Sequence, residues 1–457
     1  MDKGKTLKPS RFNFETYDKN GDLLMCNFSK GSSSFCRVLK GDIEKYKELI
    51  NRTPIIYNGE NFIDRLIEKG FLVSENLDEN MVVDSLYYNA AMDSRLMLIV
   101  MPTEQCNFRC PYCYENYENG KMSNDSQKAL LKFLQRKLDE SSKLLIAWFG
   151  GEPLEAVDVV ESIMLQVKTI CEKKKKQYSS DMTTNAYNLT PEIFDKLYNL
   201  KIYRYQITLD GLKEQHNKQR ILSNGEGTFD RIIENLTYIK NNKEYRFANI
   251  TIRVNVTREI MDNLSAFIDF YKATFGEDKR FSVAFTPVND MGGDSVKSLY
   301  SKFITPSDLY ATFKKINVYE DKELNLSNIL RAFSPTDGLC YASKKNTFVI
   351  GPNLNVYKCT VHFDLPENNI GKILPNGEMQ INESLHSQWY INHTKKESCK
   401  SCFLAPSCFG GGCPHKRNFF DATRNKCVLS AWKKEIEHAF LYLPTKHQFE
   451  IIDFGKD

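Results

Sequence analysis

Hydrophobic positions between residues 94 and 290 follow two alternating rhythms. Strand-like segments predict strands at 96–101, 144–149, 180–184, 205–209, 250–256 and 281–285. Between most of them apolar residues return every third or fourth position, which predicts amphipathic helices at 126–138, 157–170, 191–198, 229–239 and 261–271. Six strand–helix units with short connections imply a parallel sheet covered by helices, an open or partial barrel. Chemistry in such a barrel belongs at the C-terminal ends of its strands.

Outside this block the pattern changes. Residues 10 to about 90 predict a small α+β unit, in which RFNFETY and LLMCNFS flank DKNG as a hairpin turning at Asn20-Gly21. Helical patterns follow at 42–50 and 61–69, the second stopping at Gly70 before the apolar Phe71-Leu72-Val73. Residues 335–430 are dense in cysteine and poor in long apolar runs, so metal crosslinks are expected to hold their shape.

With 457 residues the chain exceeds one ordinary core and predicts two or three domains. A hydrophobic share of 41% and a charged share of 26% are ordinary for a globular protein. The net charge of +4 is thinly spread and does not argue for a nucleic-acid partner. The one basic run, Lys173 to Lys176, follows an apolar-periodic stretch and reads as a solvated helix end. No apolar stretch opens the chain, and the longest apolar run, 96–101, is too short to span a bilayer. A cytoplasmic protein without membrane attachment is expected. In that reducing compartment disulfides are rare, so the 13 cysteines, an odd number, point to metal ligation or catalysis.

The first strand candidate runs into a loop reading TEQCNFRCPYCYE, which carries Cys106, Cys110 and Cys113. Three thiolates spaced C-x3-C-x2-C can hold three irons of a cubane cluster and leave the fourth open to a substrate or cofactor. The bland alternatives are a zinc loop or three buried structural cysteines. Structural zinc normally closes with four ligands, and no fourth Cys or His stands nearby. The loop, set after the first strand of a βα barrel, resembles the signature of the radical S-adenosylmethionine (SAM) superfamily. The resemblance implies a 4Fe–4S cluster on these three cysteines whose open iron chelates SAM, and cleavage of SAM to a 5′-deoxyadenosyl radical.

It also implies a set of SAM contacts. Tyr112 takes the place of an aromatic lying against the adenine. Gly150-Gly151-Glu152-Pro153, at the end of the second strand, resembles the GGEP element whose backbone receives the SAM amino group, glycine permitting the close approach. Thr184 and Asn185 end the third strand, where the family places polar contacts to SAM. Asp210, with Gly211, His216 and Arg220, resembles the SLDG…H…R stretch after the fourth, and Arg253 and Asn255 on the fifth are candidates for the SAM carboxylate and ribose. Each of these polar residues also has a plain reading as a cap or turn residue.

Seven later cysteines, Cys340, Cys359, Cys399, Cys402, Cys408, Cys413 and Cys427, resemble the SPASM extension of peptide-modifying radical SAM enzymes, which carries two auxiliary 4Fe–4S clusters. By that resemblance Cys399, Cys402, Cys408 and Cys427 ligate an outer cluster. Cys340, Cys359 and Cys413 ligate an inner one that is left a ligand short, giving three clusters in all. One residue more than the family's usual spacing separates Cys408 from Cys413, and Leu354 stands where the family has a glycine. Two ribbon-type zinc sites are the rival. Cys26, Cys36 and Cys171 fall outside the pattern and read as small buried hydrophobes.

The expected architecture is α/β: an N-terminal α+β leader-peptide-recognition-like domain (1–92), a partial (β/α)6 TIM-like barrel (93–310) and a C-terminal SPASM iron–sulfur domain with a C-terminal helix (311–457). The N-terminal block resembles modules that capture a leader peptide by adding its strand to a sheet edge; barrel capping or oligomerisation is the alternative. Together the blocks resemble maturases of ribosomally made peptides, including the thioether-forming sactipeptide and ranthipeptide synthases. That implies a precursor peptide with its leader as substrate and a flavodoxin or ferredoxin as electron donor. Formylglycine formation of the anaerobic sulfatase-maturase kind and carbon–carbon crosslinking are alternatives, and a non-catalytic iron–sulfur electron carrier is one of a different class.

Overall fold

The computed structural model describes residues 3–454 apart from 53, 116, 292–294, 322–323, 327–332, 337–338, 392–396, 420–426, 428–435, 442 and 444–447. The chain divides into two compact units: Met1–Met92 with Asn328–Lys344 and Gln388–Asp457, and Asp93–Ser327 with Lys345–Ser387.

In the first unit, β1 (Thr6–Pro9), β2 (Asn13–Tyr17), β3 (Leu23–Asn27), β4 (Cys36–Val38), β5 (Ile55–Ile56) and β6 (Leu72–Ser74) build two sheets, one ordered β5-β1-β6 and one in which β2, β3 and β4 adjoin. The hairpin expected from DKNG is β2–β3, antiparallel with Tyr17 opposite Leu23. Gly21 takes φ 84°, the left-handed conformation its turn requires. Successive side chains of a strand face opposite ways, and both faces of β3 are covered. Leu23 and Met25 enter one core with Cys36, Val38, Tyr46 of helix Ile43–Ile50 and Leu66 of helix Asn61–Glu68. Leu24 and Cys26 enter another with Val83 and Tyr87 of helix Glu79–Ala91 and with Leu404, Phe409 and Phe440. The apolar pattern hides that last helix, because Met81 and Tyr88 are exposed and blur its stripe. Near the other end of the chain, Glu450–Ile451 pairs in parallel with β4. The N-terminal block and the C-terminal cysteine segment thus share one core.

In the second unit, β7 (Leu96–Val100), β8 (Leu144–Trp148), β9 (Tyr178–Thr184), β10 (Ile202–Thr208), β11 (Asn249–Val256) and β12 (Phe281–Pro287) pair in parallel in sequence order, as the alternation implies. Helices Asn124–Lys137, Val157–Lys173, Pro191–Asn199 and Phe229–Asn241 stand at their expected places. The helix expected at 261–271 is two, Arg258–Asp262 and Leu264–Tyr271, parted at Asn263, whose side chain donates to the Glu259 carbonyl at 2.9 Å. β13 (Thr347–Ile350) then joins β7 in parallel, and β14 (Asn355–Tyr357), β15 (Asn369–Ile373) and β16 (Met379–Ile381) continue antiparallel, extending the sheet to ten strands. Residues 345–387 therefore pack with the barrel, their fully buried Thr347–Ile350 strand completing its sheet. Among the described residues no helix is long and apolar enough to cross a membrane.

Candidate active site

The three-cysteine loop leaves the C-terminal end of β7 and is pinned by backbone contacts. Phe108, fully buried, bridges to Leu222, while the Arg109 N–H donates to the Ile221 carbonyl at 3.0 Å and the Ser223 N–H to the Asn107 carbonyl at 2.9 Å. The N–H of Phe108 donates to Cys106 Sγ at 3.3 Å, and the Asn185 amide approaches the same sulfur at 4.0 Å. Cys106, Cys110 and Cys113 are free thiols. Burial raises all three, Cys110 to about 11 against the opposing charge of Arg220. A bound metal reverses that cost, because it takes the thiolate directly. Among the described residues no three His, Cys, Asp or Glu side chains gather at the spacing of a single ion. A cubane asks for no such convergence, since each thiolate meets a different iron.

The end of β8 lies directly on this loop. A Cβ on Gly150 would stand 2.5 Å from the Thr103 carbonyl oxygen, and one on Gly151 2.3 Å from that of Glu104. The Gly151 and Glu152 N–H groups donate to the Thr103 and Gln105 carbonyls at 3.3 and 2.9 Å. Pro153 opens the short turn Pro153–Ala156. The Glu152 carboxylate accepts from the Leu154 N–H at 3.0 Å, the Thr184 hydroxyl at 2.6 Å and the Asn185 N–H at 2.7 Å. Burial still pushes its carboxyl up to about 7. Thr184 Oγ1 accepts from the Ala186 N–H, and the Asn185 amide donates to Asn107 Oδ1 at 2.8 Å. Glu152, Thr184 and Asn185 are therefore braces joining the second and third strand ends to the cysteine loop. The GGEP element presents its backbone, and the Glu152 side chain is spent within the protein.

The fourth and fifth strands converge on Tyr112. Its hydroxyl donates to the Asp210 carboxylate and accepts from Arg220 Nη1 at 2.8 Å and Asn255 Nδ2 at 3.3 Å. The other Asp210 oxygen accepts from the Asn255 N–H at 2.7 Å, and Arg253 Nε donates to Asn255 Oδ1 at 2.9 Å. His216 Nδ1 accepts from the Asp210 N–H at 3.1 Å, so Nε2 carries the proton and donates to Thr228 Oγ1 at 3.0 Å. Thr228 in turn donates to the Arg220 carbonyl at 2.6 Å. Burial and the Arg220 charge hold the imidazole well below its ordinary pKa, hence neutral. The resemblance that marks Tyr112 as an aromatic ring gives no hint of its hydroxyl as a hub. Glu115 is likewise unmarked in the sequence: both its carboxylate oxygens are buried without a partner, and burial beside Glu104 pushes it up to about 8.

In the first unit, burial carries the Cys408 thiol up to about 11, with Cys402, Cys399 and Cys427 adding to the rise. Between Cys408 and Cys413, Phe409, Gly410, Gly411 and Gly412 all take positive φ. Cys340 and Cys413 belong to this unit and Cys359 to the other. Asn368 holds Cys359 in place, accepting its N–H at 2.8 Å and donating to its carbonyl at 2.9 Å. Leu354 has φ 68°, a left-handed conformation that glycine adopts at less cost than leucine. Cys26, Cys36 and Cys171 are buried free thiols.

A parallel barrel sheet with three free thiols on the loop after its first strand defines a class, iron–sulfur enzymes built on a partial barrel. Residues 100–268 match the family model of the radical SAM superfamily. The chain is 27% identical over 377 residues to a cysteine-type anaerobic sulfatase-maturating enzyme of Clostridium novyi (strain NT), covering 76% of this chain and 95% of that protein. Among solved structures it resembles native anSMEcpe with bound AdoMet and Cp18Cys peptide, with a TM-score of 0.59, 21% identity, and coverage of 77% of this chain and 98% of that one. It also resembles Streptococcus suis SuiB bound to precursor peptide SuiA, with a TM-score of 0.51, 18% identity, and coverage of 89% and 95%. Both likenesses show a shared fold. More particularly, then, residues 100–268 carry a radical SAM domain, the chain is similar over most of its length to a sulfatase-maturating enzyme, and it is an enzyme. Such a domain works with a 4Fe–4S cluster and SAM, and the residues present fit them: three loop thiols to ligate iron, and a glycine backbone packed against that loop.

Proposed function

We propose that this enzyme modifies a ribosomally made precursor peptide, crosslinking it through a cysteine thioether. The observation that carries the reading is Cys106, Cys110 and Cys113 on a loop closed by Gly150 and Gly151, in a chain whose fold is shared with enzymes solved with peptides bound. The three cysteines would hold the cluster, which supplies the electron that cleaves SAM to methionine and a 5′-deoxyadenosyl radical. Tyr112 would set its ring against the adenine, with Asp210, Arg220 and Asn255 fixing its orientation. Arg253 and Asn255 would meet the SAM carboxylate and ribose, and the backbone of Gly150 and Gly151 its amino group.

Cys399, Cys402, Cys408 and Cys427 are assigned to an outer auxiliary cluster and Cys340, Cys359 and Cys413 to an inner one, making three. The inner set leaves one iron without a cysteine, a position suited to a substrate thiolate. The N-terminal block is proposed to bind the leader: among the described residues β5 and β6 each pair on one side only, the edge a leader strand needs. A flavodoxin or ferredoxin is the proposed electron donor and the cytoplasm the proposed location. The homology to a sulfatase-maturating enzyme over 95% of its length favours a second reading, oxidation of a peptide cysteine to formylglycine.

The test is reaction of the anaerobically reconstituted enzyme with SAM, dithionite and the peptide encoded beside its gene. Replacing Cys106, Cys110 and Cys113 together with alanine is expected to abolish 5′-deoxyadenosine formation. In the wild-type product each thioether removes two hydrogens and protects one cysteine from alkylation. A product carrying an aldehyde in place of a thiol would establish the second reading. One whose cysteines all alkylate freely, without an aldehyde, would exclude both.

A further inference from the structure

Arg220 follows helix Lys213–Gln219, on the connection after β10, and is only 8% exposed. A guanidinium cannot shed its proton within a protein, so this is a permanent positive charge held away from water. Both of its aromatic contacts lie inside the cysteine loop. Nη1 donates to the Tyr112 hydroxyl at 2.8 Å, between the second and third cysteines, and its carbon stands 5.4 Å from the Phe108 ring centroid, between the first and second. Nε has no partner. The Asp210 carboxylate, which accepts from the Tyr112 hydroxyl and the Asn255 N–H, shares that hydroxyl with Arg220 and interacts with its charge. Cys110 and Cys113 both feel the Arg220 charge.

A side chain whose only role was to orient Tyr112 needs a donor and no charge. Burying a guanidinium is costly unless a negative charge compensates it. The Asp210 carboxylate supplies part of that charge, and three thiolates on this loop add to it. We propose that Arg220 sets the reduction potential of the cluster held by Cys106, Cys110 and Cys113, its fixed positive charge favouring the reduced state. This rests on reading those cysteines as cluster ligands. Reduction adds one electron, from dithionite in the assay and from a low-potential one-electron donor otherwise, to a site already carrying three thiolates. No bond forms or breaks in that step. The added negative charge is stabilised by a nearby cation, so the potential rises; charge and hydrogen bonding around the cluster are the means by which proteins tune it.

The experiment is an anaerobic reductive titration of the reconstituted full chain, following the EPR signal that changes when SAM is added and so belongs to this cluster. R220Q keeps an N–H donor for Tyr112 and loses the charge, whereas R220K keeps the charge and loses the planar fork. At the wild-type midpoint R220Q is expected to hold about a tenfold lower ratio of reduced to oxidised cluster, equivalent to about 59 mV for one electron. R220K is expected to stay near the wild-type ratio. The proposal is overturned by R220Q titrating with the wild type, or by R220K moving as far as R220Q, which would assign the effect to hydrogen-bond geometry. Loss of about four irons per chain from both variants would overturn it too, because the arginine would then be needed to fold the loop. A wild-type protein without any SAM-sensitive signal would instead remove the cluster assignment itself.

Discussion

A single methyl group at position 151 tests how tightly the cysteine loop is held. A Cβ there meets the backbone oxygens of Glu104 and Gln105 at 2.3 and 2.4 Å, and backbone cannot swing aside as a side chain can. Misplacement of a reacting centre by about 1 Å costs on the order of 100-fold in rate, so G151A is expected to lose about that much 5′-deoxyadenosine formation. Gly120, where an added Cβ meets nothing within 4 Å, supplies the silent control as G120A. Wild-type cleavage by G151A would show that the loop yields. His216 makes a prediction in pH. In the unfolded chain its imidazole takes up a proton below its ordinary value of 6.5, but in the fold burial keeps it neutral well below that. The unfolded state therefore binds more protons than the folded one as pH falls, and stability drops below pH 6.5 by about 1.4 kcal/mol per unit. Above that pH the group contributes no slope. Urea unfolding of the cluster-free protein should show H216Q losing this component. His386, held at about 4 by burial, contributes its own slope to both proteins and cancels in the difference. Parallel pH profiles for the two proteins would refute the neutral assignment.

At the scale of elements, the barrel is legible because parallel strands buried on both faces are written as continuous apolar runs. Leu96–Val100 is found that way and Asn249–Val256 by its alternation of apolar and polar residues, each to within a residue of its ends. β14 and β16, three residues each, are too short to leave such a signature and lie among cysteines that attract a different explanation. The site divides similarly. Its cysteines are legible because ligation of one cluster imposes a local spacing. Their supports are not, because hydrogen bonds join partners far apart in sequence: Glu152 with Asn185 across 33 positions, Tyr112 with Arg220 across 108 and with Asn255 across 143. Leu354 separates conformation from identity. Its φ of 68° shows a left-handed turn between β13 and β14 formed without the glycine that normally signals one. A pattern of residue types records what a position tolerates, and the hydrogen bonds on either side decide what it does.

At the scale of the whole molecule, the expectation of a self-contained N-terminal module meets a chain whose two ends are folded together. Phe14 stacks on Phe403 with ring centroids 5.5 Å apart, and Phe35 meets Phe440 edge-on at 5.4 Å. Tyr87 accepts from the buried Arg417 at 3.0 Å and donates to the Tyr390 carbonyl at 3.0 Å. Arg11 lies close enough to Cys402 to act on its thiol. Deleting residues 1–90 would thus strip Phe12, Phe14, Leu24, Phe28, Val83 and Tyr87 from the core that holds Leu404, Phe409 and Phe440, and would take from the Arg417 guanidinium its 3.0 Å bond to the Tyr87 hydroxyl. Large apolar truncations in a core cost about 3–5 kcal/mol each, so removing six together exceeds the stability of an ordinary domain. The truncated protein is expected to lose about eight irons per chain, those of both auxiliary clusters, because Cys340 and Cys413 lie in the same unit as the outer ligands. The loop of Cys106, Cys110 and Cys113, with its braces through Asn255, belongs entirely to the other unit, so the SAM-sensitive EPR signal should persist. If the truncated protein instead kept its full iron and lost only its affinity for the precursor peptide, the N-terminal block would be a separable recognition module, and the shared core would contribute little to holding the cysteine segment.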